Sequence, residues 1–484
     1  MSRASNPVVL KAALLGAAVS AFAPAAAAQS CESARPTDPQ GSAGVSYGSA
    51  EVGFFDSASG RARVHFALSG VHAPSAASTL QADIPDAVVV AAQAADDALD
   101  KYASLGYLPP LGDGDSPCAS NGDSDAIDIY LINFSAADGQ ALPDHCDAGP
   151  PKRCAGFVLV ENDFRAGGYA DTAEGMRTVV PHELFHLVQD AYDAEVERWW
   201  AEGSAQWAAK QVYPALLDLE RFLPAYFAAP WRPLNVPPNG VVTNFLYATA
   251  IWPVFLSERF DVDVVREVFE GFGQATPGVL PTTDSVLTAR GSSLAQEFLQ
   301  FAAYNAATGA RAPAEGGYHD AASYPLVTLT KLDAKTGDLV SDVDSGMGAF
   351  YYSLQTAAPT ELTLQADAAR VAALLVPLAD GKPQLNDAQP LPATLDGEGV
   401  VVVAGQSLSR TDAPFTLQGQ PPAAPETKAA AGSSCAVTGF RGKSAGFGSA
   451  LFGFVVILLG RCRARRTPRK ARSSGGSSSL RSRC

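Results

Sequence analysis

Residues 179–193 read Val-Val-Pro-His-Glu-Leu-Phe-His-Leu-Val-Gln-Asp-Ala-Tyr-Asp, and this stretch decides the fold. His182 and His186 stand at i and i+4, so on a helix both imidazoles lie one turn apart on one face and can reach a single metal ion. Glu183 sits beside them, where a carboxylate can take a proton from water at that metal. Val179, Val180, Leu184, Leu187 and Val188 supply an apolar back to the same helix. The periodicity predicts a helix over residues 176–192. Pro181 removes one helical hydrogen bond just before the first histidine, so a kink there, or a helix that starts near it, is expected.

A zinc site needs a third protein ligand and leaves a fourth position for water. The next helical stretch reads Trp199-Trp200-Ala201-Glu202-Gly203-Ser204-Ala205-Gln206-Trp207. Glu202 lies far enough from His186 for a turn and a return helix that faces the first. An acid among aromatic and small residues is costly to bury unless it is paired or ligating. A solvent-facing Glu202 is the bland alternative, and Glu195 and Glu197 are its rivals for the ligand position.

Outward from this centre, residues 62–68, 127–134 and 156–161 carry strand patterns, and residues 86–102 repeat apolar side chains at helical spacing. Further helices are expected over 200–213, 247–259, 262–269 and 294–305, the last capped by Ser292 or Ser293. Short apolar runs at 326–329, 350–354, 362–364 and 400–404, separated by Gly, Asp and Pro, suggest a small β-sandwich. The class is α+β: a mixed sheet and helical lobe around the His-Glu-x-x-His helix, then a β-sandwich-like domain. The organisation read from the chain is a signal peptide at 1–28, a mixed lobe with sheet and edge strand at 29–170, and a helical metal-binding lobe at 171–320. A β-rich domain follows at 321–420, a Pro/Ala-rich linker at 421–434, and a C-terminal segment at 435–484.

The ends read as addresses. Arg3 and Lys11 precede a short apolar run that closes on Ala26-Ala27-Ala28, the form of a secretory signal cleaved before Gln29. An uncharged run at 444–460 leads into Arg461, Arg463, Arg465 and Arg466, which suits a stop-transfer span with its basic side in the cytoplasm. Between the ends, residues 29–434 hold 22 basic residues against all 50 acids of the 484-residue chain. That imbalance excludes nucleic-acid binding by the main body, because phosphate recognition needs clustered Lys and Arg. Export makes disulfides available, and the exported part carries Cys31, Cys118, Cys146 and Cys154. Four cysteines allow three pairings. The Gly and two Pro between Cys146 and Cys154 favour that pair, leaving Cys31 with Cys118.

Two resemblances add to these readings. The His-Glu-Leu-Phe-His helix followed by an acidic helix resembles the gluzincin metallopeptidases. Residues 157–164, 182–193 and 200–207 together resemble a myxobacterial family of secreted metalloproteases over roughly residues 50–260. The likeness implies His182, His186 and Glu202 as ligands of one zinc ion and Glu183 as the catalyst. It also implies a peptide substrate lying along an edge strand, for which residues 156–161 are the candidate. The Asp that such enzymes carry one turn after the third ligand is replaced by Gln206, which hydrogen-bonds without bringing charge. Tyr247 is the first choice to stabilise the oxyanion, with Tyr192 and His319 behind it. Ser434-Cys435, a spacer, the apolar span and the Arg cluster resemble the MYXO-CTERM sorting tag of myxobacterial surface proteins, which implies processing and attachment at Cys435.

Other signals carry less. Asp113, Asp115, Asn121, Asp123 and Asp125 offer oxygens for calcium but do not follow the EF-hand pattern, and a solvated turn is favoured. His65, His72 and His145 are scattered singles. Ser204 is not in a Gly-x-Ser-x-Gly elbow, which argues against a serine hydrolase. The expectation is an exported zinc endopeptidase, anchored at the cell surface or outer membrane or released from it, with protein or peptide substrates and a tag-processing partner. The alternative is an inactive binding or adhesion protein on the same fold.

Overall fold

A computed structural model describes residues 34–420 apart from 39–40, 43, 115–121, 123, 135–136, 166–167, 239–243, 273–277, 333–338, 345 and 409–410. The signal peptide, Cys31, Cys118, the linker and the whole segment from 435 onward lie outside the described residues. Among the described residues no helix is long and apolar enough to cross a membrane.

The class is α+β. The first half runs β1 (Val52–Asp56), β2 (Ala62–Ala67), α1 (Asp86–Ser104), β3 (Ile127–Ile132), β4 (Gly139–Cys146), β5 (Cys154–Glu161), α2 (Thr172–Asp190) and α3 (Arg198–Val212). Its five strands lie in the order β1-β2-β3-β5-β4, with β2, β3 and β5 parallel and the two outer strands antiparallel to their neighbours. Central strands of a sheet covered on both faces read as continuous apolar runs. Phe157-Val158-Leu159-Val160 in β5 is such a run, and every residue of β5 is buried. Val64, Ile129, Leu131, Val158 and Val160 pack toward α1 and α2, while Tyr130, Ile132, Phe157 and Leu159 form a separate cluster with Tyr47. Beside that second cluster, the fully buried Arg35 lies over the Phe157 ring and pairs with Asp113, Asp128 and Asp144.

Residues 156–161, expected at the substrate edge, are therefore interior, and β4 takes the edge instead. The physical reason is visible in β4 itself. Pro143 cannot donate to a ladder, which confines it to an edge or a bulge, and the β4–β5 register shifts between Pro143 and His145. Cys146 and Cys154 face each other across this hairpin and form the expected disulfide.

α2 begins at Thr172 rather than near Pro181. Asp171 caps it by accepting the Glu174 N–H at 2.8 Å, and Glu174 accepts the Ala170 N–H at 2.9 Å, so the first turn is secured well before the proline. The Pro181 carbonyl accepts from the buried Tyr102 hydroxyl of α1 at 2.8 Å.

The helical half continues with α4 (Asp218–Phe222), α5 (Pro224–Phe227), α6 (Asn244–Ala248), α7 (Ile251–Arg259), α8 (Asp263–Glu270), α9 (Val279–Ala289) and α10 (Leu294–Ala306). Ser293 caps α10, accepting from Gln296 N–H. The single helix expected over 247–259 is broken into α6 and α7, because Pro253 has no N–H for the Thr249 carbonyl, which accepts from Trp252 N–H at 2.9 Å instead. The Thr249 hydroxyl lies 2.6 Å from the carbonyls of Trp199 and Leu246.

The β-rich part comprises β6 (Thr330–Lys331), β7 (Leu339–Asp344), β8 (Ala349–Gln355), β9 (Thr360–Ala366), β10 (Val371–Ala379), β11 (Lys382–Pro383), β12 (Gln389–Pro390), β13 (Ala393–Leu395), β14 (Glu398–Gly405) and β15 (Asp412–Gln420). One sheet has the order β11-β10-β14-β8-β6, with β12 also on β10, and the other β13-β9-β15-β7. Alternation along β14 explains the packing. Val401 and Val403 join Leu362, Phe415 and Leu417 between the two sheets, whereas Val400 and Val402 share the core of Phe298 and Phe301 from α10. Residues 326–329, expected as a strand, take no regular structure.

Candidate metal centre

α2 and α3 pack side by side and bring three ligand atoms together. His182 Nε2 lies 3.2 Å from His186 Nε2 and 3.3 Å from Glu202 Oε2, and His186 Nε2 lies 3.6 Å from the same carboxylate oxygen. A tetrahedral zinc ion with bonds of ~2.0–2.1 Å has donor–donor edges of ~3.3 Å. The triangle therefore has the size of one face of a zinc tetrahedron. Among the described residues this is the group of His, Cys, Asp and Glu able to hold a metal. Glu195 and Glu197 are exposed, and Glu197 instead accepts the Trp199 indole N–H at 2.8 Å.

The electrostatics match the donor set. Burial alone would raise the Glu202 carboxyl, but hydrogen bonds and charge from both histidines hold it well below the usual carboxylate range. Burial pulls His186 down, yet Glu202, Glu183 and Gln189 outweigh it and push His186 up to about 10. Burial pushes Glu183 up, partly offset by His182 and His186. Glu183 is outside the ligand group. Its Oε2 accepts the Ala141 N–H of edge strand β4 at 2.8 Å. That approach needs Gly139, where a Cβ would stand 2.7 Å from Glu183 Cγ and 2.5 Å from Val179 Cγ1.

Tyr247 is carried to the site by α6. Its ring lies 5.7 Å from the His182 ring and 4.7 Å from Phe222. The approach of α6 to α3 rests on Gly203, whose Cβ would stand 2.5 Å from Thr249 Oγ1. Burial, then the charges of Glu202 and Glu183, push the Tyr247 phenol far up, so it stays a hydrogen-bond donor at neutral pH. The two other candidates are not at the centre. The Tyr192 hydroxyl accepts the Leu108 N–H at 2.9 Å, and His319 is a surface residue whose N–H binds Glu258.

Gln206, which stands where the resembled family carries an Asp, donates to Asp218 Oδ2 at 2.6 Å. Asp218, raised by burial and lowered by Gln206, Arg221 and His182, brings negative charge toward His182 from α4. The residue that touches a ligand is Gln189, whose Oε1 lies 2.8 Å from His186 Nδ1. Its only sequence signal was a polar side chain on the metal face one turn after His186.

Of the remaining singles, His65 pairs with Asp128 at 2.8 Å, and His72 Nδ1 accepts the Asn133 N–H at 3.0 Å. His145 sits in β4 opposite Ala155, with its buried Nδ1 unbonded among the described residues. Of the calcium candidates, Asp113 pairs with Arg35 and Asp125 accepts the Gly114 N–H at 3.0 Å, while Asp115, Asn121 and Asp123 lie outside the described residues. Ser204 donates to Trp200 O at 2.6 Å, deep in the α2–α3 contact.

No protein-family model matches the chain, and no curated protein matches it.

Proposed function

We propose that this protein is an exported zinc endopeptidase of gluzincin-like arrangement, with His182, His186 and Glu202 holding one zinc ion. The observation that carries the reading is the ligand triangle, whose edges of 3.2, 3.3 and 3.6 Å suit zinc. Zinc supplies a Lewis acid that polarises a carbonyl and acidifies water. The chain's own residues account for the rest. Glu183, buried and with its carboxyl raised, takes a proton from the attacking water and passes it to the leaving amine. Tyr247 donates to the oxyanion that forms at the scissile carbon. The outer edge of β4 offers backbone groups along which an extended peptide aligns.

The mature chain begins near Gln29 and is held at the cell surface or outer membrane through the tail, with Cys435 as its processing point. Its partners are protein or peptide substrates and the machinery that processes the tag.

The test is metal content with chelator-sensitive hydrolysis of an unstructured protein such as casein. One zinc per chain, sharply reduced in Glu202→Ala and kept in Glu197→Ala, with cleavage abolished by chelator, is the expected result. A chain with full zinc that cleaves no protein or peptide supports the inactive binding protein instead. A chain that takes up no zinc removes the peptidase reading.

A further inference from the structure

The Gln189 side chain is wholly buried between α2 and α3, and all its polar atoms are engaged. Its Nε2 donates to Ala201 O at 2.9 Å and to Ser204 Oγ at 3.0 Å. The Ser204 hydroxyl hydrogen is spent on Trp200 O at 2.6 Å, so toward Gln189 the serine oxygen accepts. A backbone carbonyl can only accept as well. The amide nitrogen of Gln189 must therefore face α3, and its carbonyl Oε1 must face His186 Nδ1. An acceptor at that place requires a hydrogen on Nδ1 and leaves the Nε2 lone pair toward Glu202 and His182.

We propose that Gln189 and Ser204 are positioning residues that fix the tautomer and ring angle of His186 through a one-way hydrogen-bond relay whose direction is set by the α3 carbonyls of Trp200 and Ala201. Those two carbonyls belong to the two residues that directly precede Glu202 on α3. The same relay thus fixes the register of one ligand-bearing helix against the other. The proposal rests on the zinc reading of the site. It differs from a carboxylate partner in one respect: an amide orients the imidazole without adding charge beside Glu202 and Glu183.

The test uses the full chain and reads zinc affinity by competition with a chromophoric chelator, together with the visible spectrum of the cobalt-substituted protein. Gln189→Leu removes acceptor and donor at similar size, and is expected to weaken zinc ~10–100-fold and alter the cobalt bands. Gln189→Glu keeps an acceptor for Nδ1–H but sets a carboxylate oxygen against Ala201 O, and is expected to regain only part of the affinity lost in Gln189→Leu. Wild-type affinity and spectrum in Gln189→Leu overturn the proposal, as does full recovery in Gln189→Glu, which would show the donor half of the relay to be idle. If Gln189→Leu does not fold, Ser204→Ala decides: a smaller loss in the same direction supports the relay, and unchanged affinity with an unchanged cobalt spectrum overturns it. A wild-type chain that binds no zinc overturns the metal reading itself, a result distinguishable from the others.

Discussion

His182 and His186 face each other through Nε2 atoms 3.2 Å apart, with Glu202 Oε2 close to both. Two nitrogen lone pairs at that distance repel unless a proton or a cation lies between them. In protein stripped of metal by a chelator, the proton on His186 is held up to about 10, above its ordinary 6.5. The sign follows: that proton stabilises the stripped fold fully below about pH 6.5 and the benefit is lost as pH rises through about 10. Zinc must displace it, so zinc affinity is expected to rise ~10-fold per pH unit between pH 6 and 8. Chelator competition across that range checks this, and an affinity independent of pH contradicts it. His182, Glu183 and His186 were legible in the sequence because their relation is purely helical. Glu202 was legible because an acid among tryptophans needs a partner. Gln189 was not, since its role depends on where the carbonyls of another helix lie. The partner of Gln206 was hidden for the same reason: one turn beyond Glu202, it faces Asp218 on α4 and not a histidine.

At the scale of elements, the sheet shows what pattern alone carries. The apolar runs of β2, β3 and β5 announced themselves, but continuous apolarity marks a strand buried on both faces, not one at a cleft. β4 reads Gly-Gln-Ala-Leu-Pro-Asp-His-Cys, too polar and too interrupted to register as a strand, and the same features make it an edge. The β4–α2 contact joins the Ala141 backbone and the Glu183 carboxyl in one hydrogen bond, and Gly139 makes room for it. Gly139→Ala is therefore expected to keep zinc while displacing β4 or Glu183. A misplacement approaching 1 Å costs on the order of 10²-fold in kcat/KM. Kinetics on a fluorogenic peptide, with metal content as control, check this, and wild-type turnover in Gly139→Ala contradicts it. The break between α6 and α7 had a signal in Pro253, which has no N–H for the Thr249 carbonyl; the contact of the Thr249 hydroxyl with Trp199 O on α3 had none.

Across the described molecule, the helical and β-rich segments share one apolar core, since β14 is buried on both faces and gives Val400 and Val402 to the helices. The pattern of short strands was legible; that one sheet would serve two cores was not, because alternation inside Val400-Val401-Val402-Val403 is hidden when every residue is valine. The exported reading is tested by mass spectrometry of protein released from the cell surface, where a mature end near Gln29 and loss of the segment after Cys435 are expected. An intact Met1 or an intact Cys484 on soluble cytosolic protein contradicts it. The account as a whole turns on catalysis at a zinc site, and Glu183→Gln isolates that claim. The amide keeps the size of the side chain and removes the base, while His182, His186 and Glu202 are untouched. The account predicts one zinc per chain, a Tm near that of the wild type and peptidase activity lower by ~10²–10⁴-fold. A zinc-loaded Glu183→Gln chain that cleaves at the wild-type rate would contradict it.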